Sequence, residues 1–79
     1  MKIQIKYFAT LREQAGKSEE IIDTISDNPK GVYQELKDKY NFSLQISELQ
    51  VAINDNYEYF NYELKESDTV VFIPPVAGG

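Results

Sequence analysis

The chain opens with a strict alternation of polar and apolar side chains. Residues 2–7 (KIQIKY) follow a period of two, which is typical of a β-strand with one face in water. In the next segment, Thr10 can cap a short helical turn and Gly16 can close it in a left-handed conformation. Residues 20–25 (EIIDTI) predict a second strand that pairs antiparallel with the first across a wide connection.

A helix is predicted to follow directly. Asn28, or Asp27 before it, can accept the hydrogen bond of a free backbone amide, and Pro29 fits the first helical position. Apolar residues then recur at helical spacing over residues 32–40, and Asn41 can end the helix. The stripe is more typical of a core face than of a functional cluster, and its members are Val32, Tyr33, Leu36 and Tyr40.

The second half of the chain contains three more predicted strands. Residues 49–53 (LQVAI) alternate, and the Asn and Asp residues of 54–56 (NDN) favour a turn. Residues 57–60 (YEYF) predict a short edge strand, and residues 65–68 (KESD) a polar loop. Residues 69–73 (TVVFI) form an unbroken β-branched and aromatic run, which predicts a central strand covered on both faces, beside the first strand.

This element order predicts an α+β fold in a single domain spanning residues 1–79. One main helix packing across a mixed sheet of four to five strands is the β-grasp roll of ubiquitin. The length of 79 residues leaves no room for a second core.

Composition narrows the chemistry. The chain contains no Cys and no His, which excludes disulfides, zinc–thiolate sites, a cysteine nucleophile and a histidine base, and we predict no metal site. The net charge of −5 argues against nucleic acid and suits either a basic protein partner or plain solubility. No apolar run approaches the ~20 residues that a bilayer requires, so we expect a cytoplasmic protein without a membrane partner.

Residues 74–79 (PPVAGG) form an unusual end to the chain. Pro74 has no amide donor and ends strand pairing, and two prolines favour an extended conformation. The residues predicted to enter a narrow channel of a partner are Pro74, Pro75, Val76, Ala77 and Gly78, with Gly79 as the reactive terminus. A carboxylate of pKa ~3.5 is ionised and unreactive near neutral pH, so another enzyme must activate it, for example as an acyl-adenylate. An inert tail that happens to end in glycine is the alternative.

Three segments resemble the small subunit of molybdopterin synthase. They are YFAxLRExAG at residues 7–16, AIN at 52–54 and DTVxFxPPVxGG at 68–79. The resemblance implies that a ubiquitin-activating-type enzyme uses ATP–Mg²⁺ to adenylate Gly79, and that this chain itself binds no cofactor. Sulfur transfer then gives a Gly79 thiocarboxylate, and the tail enters the large synthase subunit of a heterotetramer. There the sulfur passes to cyclic pyranopterin monophosphate, a sulfurtransferase reaction whose acid–base residues belong to the large subunit.

Docking is predicted to use apolar surface near the tail. Phe8 follows the first strand and Ile73 precedes Pro74, so parallel pairing of the two strands would bring them together. Tyr57 is a further candidate. Plain core packing is the alternative for Phe8 and Ile73. Both partner proteins would compete for this surface.

Other functions remain open at this point. A sulfur carrier for thiamine thiazole synthesis also ends in Gly-Gly and shares the fold, although the preceding Pro-Pro-Val-Ala favours the molybdopterin pathway. A modifier joined to lysines through the same carboxylate and a non-catalytic ubiquitin-like binding module are the remaining alternatives.

Overall fold

A computed structural model describes residues 1–75 of the chain. Its elements, in chain order, are β1 (Lys2–Tyr7), α1 (Ala9–Ala15), β2 (Glu19–Asp23), α2 (Pro29–Tyr40), a 3-10 turn (Ile46–Glu48), β3 (Gln50–Ile53), β4 (Asn56–Glu58) and β5 (Thr69–Ile73). The strands form one sheet in the order β2-β1-β5-β3-β4. β1 and β5 are parallel neighbours, and the other pairs are antiparallel. The prediction of a mixed β-grasp sheet with the last strand at its centre is confirmed.

The core lies between the sheet and α2. The ring of Tyr33 on α2 meets the ring of Phe72 on β5 with centroids 5.2 Å apart. The buried strand residues on this side, here called the covered face, are Ile3, Ile5, Tyr7, Val51, Ile53, Val70 and Phe72. The opposite side of the sheet is called the open face.

The caps of α2 match the sequence. The Oδ1 atom of Asn28 accepts a hydrogen bond from the amide of Gly31 at 2.9 Å, and Pro29 opens the helix. Asn41 ends it with a left-handed φ of 57°. Both predictions are therefore confirmed, and the stripe residues Val32, Tyr33 and Leu36 are buried while Tyr40 is half-buried against them.

Helix α1 begins differently from the prediction. Gly16 does close it, with a φ of 76° and its amide donating to the carbonyl of Arg12 at 2.9 Å. Thr10, however, is not the cap: the helix begins at Ala9, and the preceding Phe8 offers no side-chain hydrogen bond. The extended strand β1 runs so close to the helix that Phe8 occupies the capping position, and Thr10 already lies inside the first turn.

Two predicted strands have shifted boundaries. β2 begins at Glu19 and ends at Asp23, although the amide of Thr24 still donates to the carbonyl of Met1 at 2.9 Å. The hydroxyl of Thr24 donates to Glu35 Oε2 on α2 at 2.5 Å. β4 begins at Asn56 and ends at Glu58, not at residues 57–60. Its early start follows from a two-residue turn of Asn54 and Asp55, both with positive φ, which places Asn56 opposite Ile53.

The prediction that β5 is covered on both faces is wrong. Val70 and Phe72 are fully buried, whereas Thr69, Val71 and Ile73 are only half-buried. α2 covers one face of the sheet, whereas on the other face Thr69, Val71 and Ile73 of β5 remain half-exposed and only Ala52 of the neighbouring strand is buried. Apolar residues on that face must therefore be explained by something other than the internal core.

A hydrogen-bonded network secures the end of the sheet that lies opposite the tail. Asn54 Nδ2 donates to Asp68 Oδ1 at 2.8 Å, and the amide of Thr69 donates to Asn54 Oδ1 at 2.9 Å. The amide of Lys65 donates to Asp68 Oδ2 at 2.8 Å. The buried Asp68 thus joins the β3–β4 turn to the start of β5, which gives two of the resemblance segments a structural role.

Candidate partner-binding surface and tail root

The root of the tail continues directly from the central strand. The pairing of β5 with β3 extends to Ile73 opposite Gln50, and Pro74 and Pro75 follow outside any strand. Pro74 is half-buried and Pro75 is exposed. The predicted end of pairing at Pro74 is confirmed. Val76, Ala77, Gly78 and Gly79, which are also predicted to belong to the tail, lie outside the described residues.

Phe8 and Ile73 are neighbours on adjacent strands, as predicted. Tyr7 pairs with Phe72 in the parallel β1–β5 ladder, and the backbone of Phe8 is still extended. Because side chains alternate along a strand and Tyr7 and Phe72 point to the core, the next residue on each strand belongs to the open face. Phe8 is 50% exposed and Ile73 is half-buried, so neither is a core residue.

A second apolar row lies beside this pair. Val71 pairs with Ala52, and Ala52 pairs with Tyr57, which is 70% exposed. All three therefore share the open face with Phe8 and Ile73. We call these five residues, Phe8, Ala52, Tyr57, Val71 and Ile73, the docking face.

Sequence reasoning found only part of this surface. It named Phe8, Ile73 and Tyr57, which lie near the tail root, but it did not name Val71 and Ala52 because it assigned β5 two covered faces. The missing information was which residues of β5 face the core. Once Phe72 is placed in the core beside Tyr7, its neighbour Val71 must point to the opposite face of the sheet.

The charged groups with displaced pKa values lie away from the tail root. Glu20 on β2 accepts hydrogen bonds at Oε2 from Tyr7 at 2.6 Å and Tyr40 at 2.8 Å, and Lys17 Nζ lies 3.5 Å from Oε1. Burial alone would raise the pKa of Glu20, but the two hydroxyl donors and the charges of Lys17 and Lys39 outweigh it and lower the pKa. This cluster fastens α2 to the sheet edge.

Two buried tyrosines have pKa values that are raised, in contrast to the lowered pKa of Glu20. Burial raises the pKa of Tyr7 far above its usual value, and the neighbouring Glu20 carboxylate adds to the effect. Burial also raises the pKa of Tyr33 to about 12. Both phenols therefore stay protonated at neutral pH and serve as hydrogen-bond donors, Tyr33 to the carbonyl of Leu44 at 2.8 Å.

Within residues 1–75, no group of three or more Asp or Glu side chains is arranged to hold a metal ion. No helix in this part of the chain is long and apolar enough to cross a bilayer. What the described surface offers is an apolar docking face that adjoins the root of a carboxyl-terminal segment.

Comparison with protein-family models shows which family this chain belongs to. The model described as the ThiS family matches residues 5–79. The chain belongs to the ThiS family. The match begins inside β1 and includes every later element and the terminal segment PPVAGG.

Relatives of this ThiS-family chain agree in length and fold. It is 28% identical over 80 residues to the molybdopterin synthase sulfur carrier subunit of Escherichia coli K12, covering 98% of this chain and 99% of that protein. A Pyrococcus furiosus structure described as molybdopterin converting factor subunit 1 superposes with a TM-score of 0.82 at 29% identity, covering 96% and 99% of the two chains. Small archaeal modifier protein 1 of Methanosarcina acetivorans gives a TM-score of 0.79 at 29% identity, covering 99% and 96%.

Proposed function

We propose that this ThiS-family protein is the sulfur carrier subunit of molybdopterin synthase. The observation that carries the proposal is the apolar docking face that continues into Pro74 and Pro75 at the root of the terminal PPVAGG segment. An apolar surface that remains partly exposed, placed beside an extended root, suits a protein that presents its carboxyl terminus to others.

The reaction begins at the carboxylate of Gly79. One of its oxygens attacks the α-phosphorus of ATP, pyrophosphate leaves, and an acyl-adenylate is formed on an adenylating enzyme that holds ATP and Mg²⁺. A sulfide-level donor then attacks the acyl carbon and AMP leaves, which gives the thiocarboxylate. In the synthase, this sulfur passes to cyclic pyranopterin monophosphate.

The chain contributes a carrier and a docking surface, while its partners contribute the catalytic groups. It has no Cys and no His, and the displaced pKa values lie at the β2 edge and around α2. Phe8, Tyr57 and Ile73 of the docking face bind the large synthase subunit, with the tail in its active-site channel. The adenylating enzyme uses the same face, so the two partners exclude each other.

Two relatives favour the molybdopterin pathway over thiamine thiazole synthesis. Both the Escherichia coli protein and the Pyrococcus furiosus structure carry molybdopterin in their descriptions and match nearly the whole chain. A second candidate function, protein modification, is supported by the similarity to small archaeal modifier protein 1 at 29% identity. In that case the activated Gly79 would form an isopeptide bond with a lysine.

Reconstitution tests the proposal directly. Thiocarboxylated protein is mixed with the large subunit and cyclic pyranopterin monophosphate, and molybdopterin is assayed. We expect deletion of Gly78 and Gly79 to abolish product, while the thermal unfolding midpoint stays unchanged because the core residues that the structure describes lie upstream of both. The substitution Asp38→Asn on the exposed side of α2 is the control and should retain full activity.

Intact mass after incubation with the adenylating enzyme and a sulfur donor separates the two candidate functions. Replacement of one oxygen by sulfur on the free protein supports the carrier, whereas conjugates of higher mass support the modifier. Molybdopterin formation by the shortened protein at the rate of the full chain would refute the carrier proposal.

A further inference from the structure

Two shallow grooves meet beside the tail root. One, of about 450 Å³, lies between the 3-10 turn, Gln50 and Pro74–Pro75. The other, of about 530 Å³, lies between the start of β3 and the segment Tyr59–Phe60. Leu49, Gln50 and Tyr57 line both, so the two depressions adjoin. Together we call them the β4 groove, and its remaining lining residues used below are Glu48, Glu58, Tyr59 and Phe60.

The β4 groove exists because β4 separates from β3 early. Their ladder ends at Val51 opposite Glu58, and the chain then diverges. Phe60 turns inward and stacks near Phe72 with centroids 6.3 Å apart, whereas Tyr59 remains 84% exposed. The divergence leaves an aromatic wall facing the start of β3, at the outer edge of the sheet.

All charged residues lining the groove carry the same sign. Glu48 and Glu58 are acidic, and neither Lys nor Arg is among the lining residues that the structure describes. Glu48 is exposed and accepts only a long hydrogen bond, 3.4 Å, from the amide of Gln45. Two carboxylates next to exposed tyrosine rings suit a planar cation, which pairs with carboxylates and lies against aromatic faces.

We infer that the β4 groove binds an extended, arginine-bearing segment of the protein that receives the tail. The identity of that protein, the large synthase subunit, rests on the proposed function. The segment is extended because β4 no longer pairs with β3 beyond Val51, so the start of β3 leaves a backbone edge beside the groove to which an extended segment can add. An arginine side chain would place a positive charge, with several N–H donors, against the carboxylates of Glu48 and Glu58.

The groove is continuous with the docking face. Tyr57 belongs to both, and Ile73 and Pro74 line the part of the groove nearest the tail. A segment held here is therefore anchored within the same partner that holds the tail. Two linked contacts of this kind raise the overall affinity beyond that of either alone, and the acidic groove gives the encounter a dependence on salt.

Nuclear magnetic resonance titration of the full chain tests the groove without any synthase. The probe is an acetylated and amidated peptide of alternating arginine and valine, five residues long, and its control replaces each arginine by citrulline. We expect the arginine peptide to shift the backbone amides of residues 48–51 and 57–60, and the citrulline peptide to leave them in place. Equal shifts with both peptides, or shifts spread over the exposed side of α2, would overturn the inference.

Two double variants test the groove in the complex. Glu48→Gln with Glu58→Gln removes the groove's charge, and Gln can keep the hydrogen bond of residue 48. Glu13→Gln with Asp38→Asn removes the same charge from exposed helix positions. We expect the first pair to weaken binding to the large subunit roughly fivefold at low salt, with a smaller loss at high salt, and the second pair to bind as the unsubstituted chain does.

The outcomes separate this inference from the carrier proposal. Equal affinity of the two double variants would refute the groove, even if deletion of Gly78 and Gly79 still abolishes molybdopterin formation. Retained activity of the shortened protein would refute the carrier, whatever the peptide titration shows. Concentration-dependent shifts of residues 48–60 in the chain alone would assign the groove to a second copy and overturn the inference.

Discussion

The two faces of the sheet use the same residue types for different purposes. On the covered face, Ile5, Val70 and Phe72 are fully buried against α2. On the open face, Val71 and Ile73 of the same strand are half-buried, and Phe8 and Tyr57 are largely exposed. Apolar character therefore does not distinguish a core residue from a residue of the open face in this fold. The direction of the side chain from the strand does.

This difference leads to a testable division of labour. Residues of the covered face should govern the free energy of unfolding, and residues of the docking face should govern affinity for partners. Adjacent residues on one strand point to opposite faces, so they provide matched pairs in which backbone context is nearly the same.

The largest effect is expected for Phe72→Ala. Phe72 is fully buried between the rings of Tyr33 and Phe60, and its truncation leaves a cavity at the centre of a small core. We expect a loss of about 3–5 kcal/mol in the free energy of unfolding, and a fall of roughly 15–30 °C in the melting temperature. Chemical denaturation monitored by circular dichroism measures the free energy of unfolding, and thermal denaturation measures the melting temperature.

Ile73→Ala is the matched comparison on the other face. Because Ile73 is only half-buried, we expect a loss of about 1 kcal/mol. Similar losses for the two variants would contradict the division between the faces.

Periodicity predicted the fold well where each element has one wet face. Residues 2–7 and 32–40 gave the correct faces of β1 and α2, and Asn28 and Asn41 marked the ends of α2. The run Val70–Ile73 of β5 misled, because four consecutive apolar residues do not show which of them face the core. Its second face is apolar without being part of the core.

The remaining misses have local causes. Thr10 failed as a cap because β1 leads into α1 within a single residue, which no propensity rule specifies. The β4 groove depends on where β3 and β4 stop pairing, and the letters YEYF do not encode that point. The sequence indicated the tail by composition, since PPVAGG directly follows a strand.

An intermediate effect is expected for Phe8→Ala, this time on binding. Phe8 is half exposed and lies outside the core cluster, so we expect the free energy of unfolding to change by less than about 0.5 kcal/mol. Affinity for the large subunit should fall by about 2 kcal/mol, roughly thirtyfold, as for a central aromatic anchor. Isothermal titration calorimetry measures the affinity.

Ile21→Ala provides the control for this variant. Ile21 is 71% exposed on the same open face, but at the β2 edge, and it pairs with the polar Gln4. It should bind the large subunit normally. Equal losses of affinity in both variants would mean that the docking face is drawn too narrowly.

The smallest effect is expected for Glu20→Gln at the β2 edge of the sheet. There the neighbouring carboxylates of Glu19 and Glu20 point to opposite faces. Glu20 belongs to the covered side and accepts hydrogen bonds from Tyr7 and Tyr40, whereas Glu19 is exposed and bonded to Gln4. The pKa of Glu20 is lowered in the folded state, so its stabilisation is complete above the ordinary value of 4.5 and is lost as the pH falls through the lower folded value. Glu20→Gln should cost about 1 kcal/mol at pH 7 and progressively less below pH 4.5, in urea denaturation measured across pH. Glu19→Gln removes the same charge and should cost little at either pH, which makes it the control. A cost of Glu20→Gln that does not change with pH would show that the ionised carboxylate of Glu20 does not contribute to holding α2 against the sheet.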